Sequence, residues 1–295
     1  MGICVIFAYS LMMVGCHEDI TEEQSEIEIS SNDNVENAVS EYQEEQLEPE
    51  ILNFRDVFGE EYQVEINEKI AKNPYDNALF QHKEEKLYYN DSDYDCRLGV
   101  DVSHHQGYID WQKVNAEGYD FTFLRIGYRG YGKEGNINAD TEFDRNIQNA
   151  KNAGLDVGVY FFAQAINEEE AKEEADFVIK KLQSYSLELP VVYDPESILD
   201  ATARTDDVSG EQFTKNAAAF CKTIKKAGYE PMIYSNMLWE AYKLDLEQLS
   251  DYPVWYADYE LVPQTPYDFT FWQYTNEGSV NGISGNTDLN IWMKK

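Results

Sequence analysis

The sequence predicts an α/β chain built around an irregular (β/α) barrel of eight strands with fewer helices. Three observations carry that expectation. From Arg97 onward, short apolar runs alternate with amphipathic helical patterns, which implies a parallel sheet with crossover helices. The apolar runs number eight within about two hundred residues, enough to close a compact barrel. Ahead of them the chain is first apolar and then acidic, a composition that adds nothing to a packed core.

Residues 1–16 read "MGICVIFAYSLMMVGC". About a dozen apolar residues are too few to span a bilayer and suit the apolar core of a signal peptide. The ending "MMVGC" resembles a bacterial lipobox, which would make Cys16 a lipidation site and the mature protein an exported, membrane-anchored lipoprotein at the cell surface. Two features depart from that pattern: Met13 stands where Leu is usual, and no Lys or Arg precedes the apolar run. Residues 17–50 hold thirteen Asp or Glu and no Lys or Arg, so they read as a disordered acidic tether. Residues 51–96 carry aromatics with mixed charge and read as a partly ordered linker packed on the main domain, with no role assigned. The formal net charge of −33 argues against nucleic-acid phosphates, and against an anionic membrane held by charge, as partners. Any contact with a membrane would go through the anchor at Cys16. Cleavage would leave Cys96 and Cys221 besides that anchor, either paired or as separate buried thiols.

The barrel occupies residues 97–295. Its candidate strands are "LGVDVS", "FTFLRIGY", "DVGVYFF", "LPVVYDPE", "EPMIYS", "PVWYAD", "FTFWQY" and "TDLNIW". Helical patterns cover 109–118, 139–154, 167–185, 210–228 and 236–246, two of them followed by Gly154 and Gly228 as helix stops. The last strands lack intervening helices, which makes the barrel irregular there. A doubly wound open sheet is the rival, but no glycine-rich phosphate loop follows the first strand.

Barrel chemistry sits at the C-terminal ends of strands, and polar residues fall there: Asp101, Tyr160, Asp194 and Glu196, with Asp258 ending its own strand and Asp288 opening the last run. In "VVYDPES" the residues two apart share a face, so Asp194 and Glu196 point together while Tyr193 and Pro195 point away. Pro195 cannot donate to a sheet and marks the strand's end. Two carboxyls this close oppose each other's ionisation, leaving one protonated near neutrality. An acid beside a carboxylate is what glycoside hydrolysis requires. Their Cα atoms would lie ~6.6 Å apart at ~3.3 Å per residue, closer to retaining than to inverting geometry. Tyr193, Trp255, Trp272 and Tyr274, with Tyr160, are candidates for stacking on sugar rings, and Gln273 for a polar contact. His104 and His105 lack a matching Cys or His cluster for zinc, and Asp140 reads as the cap of the 139–154 helix. No cofactor is called for.

Taken in order, "LGVDVSHHQGYIDWQKV", "FTFLRIGYR", "DVGVYFF", "PVVYDPE", "PMIYSN", "VWYADY" and "FWQYT…GSVNGISGNTDLN" resemble the glycoside hydrolase family 25 muramidases across residues 97–295. The resemblance implies hydrolysis of the β-1,4 bond between N-acetylmuramic acid and N-acetylglucosamine in peptidoglycan glycan strands. It implies Glu196 as general acid, Asp194 as the second catalytic carboxylate, Asp101 and Asp288 as supporting aspartates, and Tyr160 as an active-site tyrosine. Phe161 stands where many members have His, and Pro195 where Val or Trp is frequent. Neither departure removes a carboxylate. A non-catalytic wall-binding barrel and a chitinase-like enzyme are the alternatives. The intact carboxyl set speaks against the first, and the "DVSHHQG" opening with the "TDLN" ending against the second. The chain is expected to act as a monomer.

Overall fold

The structure is a computed structural model and describes residues 48–199 and 202–295. The leader, Cys16 and nearly all of the acidic run lie outside the described residues. Two hairpins come first: β1 (Ile51–Arg55) with β2 (Glu61–Glu65), and β3 (Phe80–Lys83) with β4 (Lys86–Tyr89). There follow β5 (Arg97–Val102), α1 (Trp111–Ala116), β6 (Phe121–Arg129), β7 (Ile137–Ala139), α2 (Phe143–Asn152), β8 (Asp156–Ala163) and α3 (Glu168–Leu182). The chain continues through β9 (Val191–Pro195), α4 (Gly210–Lys226), β10 (Pro231–Asn236), α5 (Met237–Tyr242), β11 (Val254–Ala257), β12 (Phe271–Gly278) and β13 (Thr287–Trp292).

Eight strands close on themselves in the order β5, β6, β8, β9, β10, β11, β12, β13, with β13 hydrogen-bonded back to β5. The irregularity expected at the last strands is a reversal within the otherwise parallel barrel: β13 runs antiparallel to both β12 and β5. The loop 279–286 is too short for the dozen or so residues that a parallel crossover needs. Reversal brings the start of β13, rather than its end, to the end of the barrel where the other strands finish. The helices lie where the apolar periodicity puts them. Asp110, Asn167, Ser209 and Asn236 side chains accept from backbone N–H groups at the starts of α1, α3, α4 and α5, satisfying donors that a helix leaves free. α2 starts later than the periodicity suggests, because 137–139 pairs with β6 as a short outer strand.

Side-chain parity divides the core in two. Phe121, Phe123, Val192, Met232, Trp255 and Phe271 fill the barrel interior as one cluster. Val157, Val159, Phe161, Val191, Ile233, Leu289 and Ile291 belong to the second cluster, with the helices and hairpins outside the sheet. The hairpins are part of that outer wall. Phe80 sits edge-on to Trp272 at 5.2 Å, Tyr75 lies 4.7 Å from Phe269, and the Tyr75 hydroxyl donates to the Phe269 carbonyl at 2.6 Å. Cys96 and Cys221 are separate thiols. Cys221 is buried on α4 and Cys96 lies against Met293.

Candidate active site

The upper end of the barrel interior turns from aromatic to acidic. Asp101 on β5, Asp194 on β9, Glu196 just beyond it and Asp288 on β13 converge on a cavity of about 230 Å³. Tyr160, Tyr234, Trp255, Tyr259, Gln273 and Asn276 complete its lining. The reversed β13 makes the convergence possible, since its second residue, Asp288, pairs directly across the sheet from Asp101.

Two amides hold Asp101. Gln273 Nε2 donates to Asp101 Oδ2 at 2.9 Å and Asn290 Nδ2 donates to the same oxygen at 2.8 Å. Each amide is oriented in turn. Gln273 Oε1 accepts from the Tyr234 and Tyr259 hydroxyls at 2.9 and 3.0 Å, and Asn290 Oδ1 accepts from the Trp255 indole N–H at 2.8 Å. Burial raises all four carboxyls above their ordinary range, since few of their charges can be solvated. Asp101 is pushed up to about 6, held down by its two amide donors. Asp288 rises to about 9 through burial and then the neighbouring Asp101. Glu196 rises to about 7 through burial and then Asp101. Asp194 goes well up through burial and the adjacent Glu196 and Asp101. With the two carboxyls this close, one of the pair keeps a proton near neutrality. Asp194 Oδ1 is buried and has no hydrogen-bond partner.

The loops after β8 and β9 fix the Glu196 backbone. Gln164 Nε2 donates to the Glu196 carbonyl at 2.8 Å, and Gln164 Oε1 accepts from the Thr205 hydroxyl at 3.0 Å. Two strands from β9, Arg125 lies on β6. Its charge favours ionised Asp194 and Glu196, and its Nε donates to Asp140 Oδ2 at 2.9 Å. The ring of His104 lies against the same guanidinium.

The model of the glycosyl hydrolases family 25 matches residues 100–283. The chain belongs to that family. It is 30% identical to lysozyme M1 of Streptomyces globisporus over 202 residues, 65% of this chain and 66% of that one. It is 27% identical to the autolytic lysozyme of Clostridium acetobutylicum over 193 residues, 65% of this chain. The chain spans about half of that second relative, 54% of its length. Among solved structures, the Streptomyces coelicolor lysozyme superposes with a TM-score of 0.54 at 27% identity, covering 66% of this chain and 90% of that one. The modular autolysin LytC of Streptococcus pneumoniae, solved in complex with a synthetic peptidoglycan ligand, shares the fold with a TM-score of 0.61 at 24% identity, covering 81% of this chain and 56% of that one.

In this family 25 barrel, strand parity sorts the residues singled out from sequence. Asp101, Tyr160, Asp194, Glu196, Trp255, Gln273 and Asp288 meet in the pocket. Tyr193, Trp272 and Tyr274 do not. They sit on the outward faces of β9 and β12, where Tyr193 packs on Phe220 of α4 at 5.0 Å. Trp272 donates its indole N–H to the Asp258 carbonyl, and the Tyr274 hydroxyl donates to the Glu85 carbonyl. These three rings build the outer core and cannot stack on a sugar in the cavity. Phe161 is likewise outward, against Phe177 of α3, so the departure at that position lies outside the pocket lining. Asp140 is not the cap of α2, whose N-cap is Glu142 with no side-chain cap bond. It accepts from the Glu142 backbone and also from the His104 backbone and Arg125, tying three segments together. Asp258 ends its strand and organises the following loop, accepting from Tyr256, Glu260 and Gln264. Sequence reasoning missed Tyr234, Tyr259, Asn276, Arg125 and Gln164. Tyr234 and Arg125 were within reach, since each shares the inward parity of its strand. The other three lie on or beside loops, or at a strand irregularity, where no periodicity applies.

Proposed function

We propose that this family 25 chain is an N-acetylmuramidase, a lysozyme that hydrolyses the β-1,4 bond between N-acetylmuramic acid and N-acetylglucosamine in peptidoglycan, with retention at the anomeric carbon. The observation that carries the reading is the pocket where four raised carboxyls meet beneath a tyrosine-rich rim. The lysozymes among its relatives and the peptidoglycan ligand of the autolysin that shares its fold support the substrate class. Glu196, raised into the neutral range, gives its proton to the glycosidic oxygen as the C–O bond breaks, and later takes one from the attacking water.

Asp194 acts as an orienting base and not as the nucleophile. It lies on the same strand as the acid rather than across the sugar, so direct attack on the far face is awkward. Its carboxyl lines the pocket, and the N–H of the muramic acid 2-acetamido group is a donor of the kind a carboxylate accepts from. Holding that N–H turns the acetamido carbonyl oxygen toward the anomeric carbon. The oxygen bonds to that carbon as the leaving sugar departs with the proton from Glu196, and an oxazolinium ion forms beside the Asp194 carboxylate. Water activated by Glu196 then opens the ring with a second inversion, which restores the original configuration. Asp101, bridged to the rim through Gln273, keeps the pocket's geometry and holds a proton with the neighbouring Asp288.

Dye release from purified peptidoglycan, set beside hydrolysis of chitin oligomers, tests the reading. The chain should release dye from peptidoglycan and leave chitin largely intact. The reverse order would indicate a chitinase-like enzyme, and no cleavage of either would indicate a binding barrel. A peptidoglycan deacetylated at the 2-amino group should be a poor substrate. Full activity on it, or a trapped ester on Asp194, would make Asp194 the nucleophile. The same reading places the enzyme outside the cytoplasm, lipidated at Cys16 and acting as a monomer on the wall. Cys16→Ala should move it from the membrane fraction to the medium, and an unchanged membrane fraction would count against the anchor.

A further inference from the structure

The catalytic cavity is small. At about 230 Å³ it falls below the ~300–1,000 Å³ of pockets that enclose a drug-sized ligand, and it has room for roughly one sugar ring. A polymeric glycan must therefore leave it across the rim. On the side of β10 and β11, Tyr259 lines both this cavity and a second one of about 340 Å³. Arg55, Glu260 and Gln264 line that second cavity and also a third, of about 670 Å³. The three are neighbours along this side of the barrel mouth, each sharing wall residues with the next.

The outer wall of the second cavity is the turn of the β1–β2 hairpin, residues 56–59, which precedes the stretch matched by the family model. The hairpin is bolted to the barrel mouth. The Arg55 N–H donates to Gln264 Oε1 and Gln264 Nε2 donates to the Arg55 carbonyl, both at 2.8 Å. The Gln264 N–H donates to Asp258 Oδ2 at 2.9 Å, so the hairpin is tied to the loop that carries Tyr259. Beneath the turn Phe54 is buried, stacked on Tyr62 at 5.4 Å.

Most of the charges lining the second and third cavities are already matched. Asp56 accepts from the Phe58 and Glu60 N–H groups and from the Tyr62 hydroxyl, Asp258 is fully engaged, and Arg55 pairs with Glu61. Among the described residues, what remains open is the Glu260 carboxyl and, at the turn, an apolar and aromatic edge. Phe58 is 67% exposed at the edge of the second cavity, and Val57 is 56% exposed beside it. An aromatic face beside satisfied polar groups suits an uncharged sugar ring better than a charged stem peptide.

We infer that the β1–β2 turn and the 258–264 loop form a distal saccharide subsite, in which Phe58 stacks on the glycan strand leaving the catalytic pocket. The inference rests on the muramidase reading for the identity of the strand. Its test is built on binding so that the two can fail separately. The probes are a peptide-free disaccharide and a peptide-free octasaccharide of alternating N-acetylglucosamine and N-acetylmuramic acid, titrated against the full chain carrying Glu196→Gln. The octasaccharide should bind about tenfold more tightly than the disaccharide, the equivalent of one ring's burial. Adding Phe58→Ala should remove most of that gain and leave disaccharide affinity unchanged. The exposed position makes a folding defect in this variant easy to detect by its unfolding temperature. Affinity independent of length, a gain that survives Phe58→Ala, or a loss seen only with peptide-bearing strands would overturn the subsite. A length-dependent gain through Phe58 in a chain whose unsubstituted form cuts no glycan would keep the subsite and reject the hydrolase.

Discussion

Glu196 and Asp194 show how one strand end makes two carboxyls unequal. Glu196 is tethered through its carbonyl to Gln164 while its carboxyl stays in the cavity. Asp194 also lines the cavity but is 3% exposed, with one oxygen buried and unpartnered. Glu196→Gln keeps the shape and removes the proton, so turnover should fall by about two to four orders of magnitude while the unfolding temperature barely moves. Near-normal hydrolysis by that variant would remove Glu196 from the role of acid. With its carboxyl pushed up to about 7, kcat/KM should decline as pH rises through neutrality, because the acid must enter the reaction protonated. A rate still rising above pH 8 would assign the acid elsewhere. The sequence already paired these two residues, since parity on a strand is local. The hydroxyls of Tyr234 and Tyr259 that orient Gln273 could not be paired with it from sequence, because they arrive from other strands and a loop.

At the scale of elements, small residues decide whether the barrel closes over its aromatic floor. A Cβ at Gly158 on β8 would lie 2.4 Å from the Phe123 ring, and one at Gly99 on β5 would lie 2.4 Å from the Phe121 ring. Phe123 in turn stacks on Trp255 at 4.6 Å, and Trp255 holds Asn290 beneath Asp101. Gly158→Ala should cost about 1–3 kcal/mol by overpacking, read from denaturant midpoints at unchanged slope. A cost near zero would mean that Phe123 has room to move and that the floor is looser than its packing implies. Neither glycine announces this role in sequence, where both read as ordinary strand interruptions. The reversed β13 has a clearer sequence cause, the short loop before it. Yet its consequence, Asp288 facing Asp101, follows only once the barrel closes.

Across the whole molecule, stability should depend on pH in a direction set by buried acids. Asp101, Glu196, Glu240 and Asp288 are raised to about 6, 7, 8 and 9, each chiefly by burial. A group raised in the folded state keeps its proton there while the unfolded chain has lost it. Its contribution is therefore complete below the unfolded value near ~4 and is lost as pH rises through the folded one. The carboxyls of Asp140 and Glu170 are lowered, and they contribute in the opposite sense only at more acid pH. The unfolding temperature should fall between about pH 5 and pH 9. Glu240→Gln, which retains an acceptor for the Thr265 hydroxyl, should flatten part of that decline. A flat or rising profile would contradict the burial of these groups. The amino-acid sequence by itself determined the eight strands, the main helices and the carboxyl pair, because periodicity, capping and strand parity are local and survive in a linear string, and the order of its motifs carried the resemblance to the family. Only the tertiary structure decided that Tyr193, Trp272 and Tyr274 face outward and that Asp288 meets Asp101. It also decided that residues 51–65 wall the mouth of the barrel. Those facts depend on which face of each strand the closed sheet turns inward, and on contacts between residues more than two hundred positions apart, such as Arg55 with Gln264.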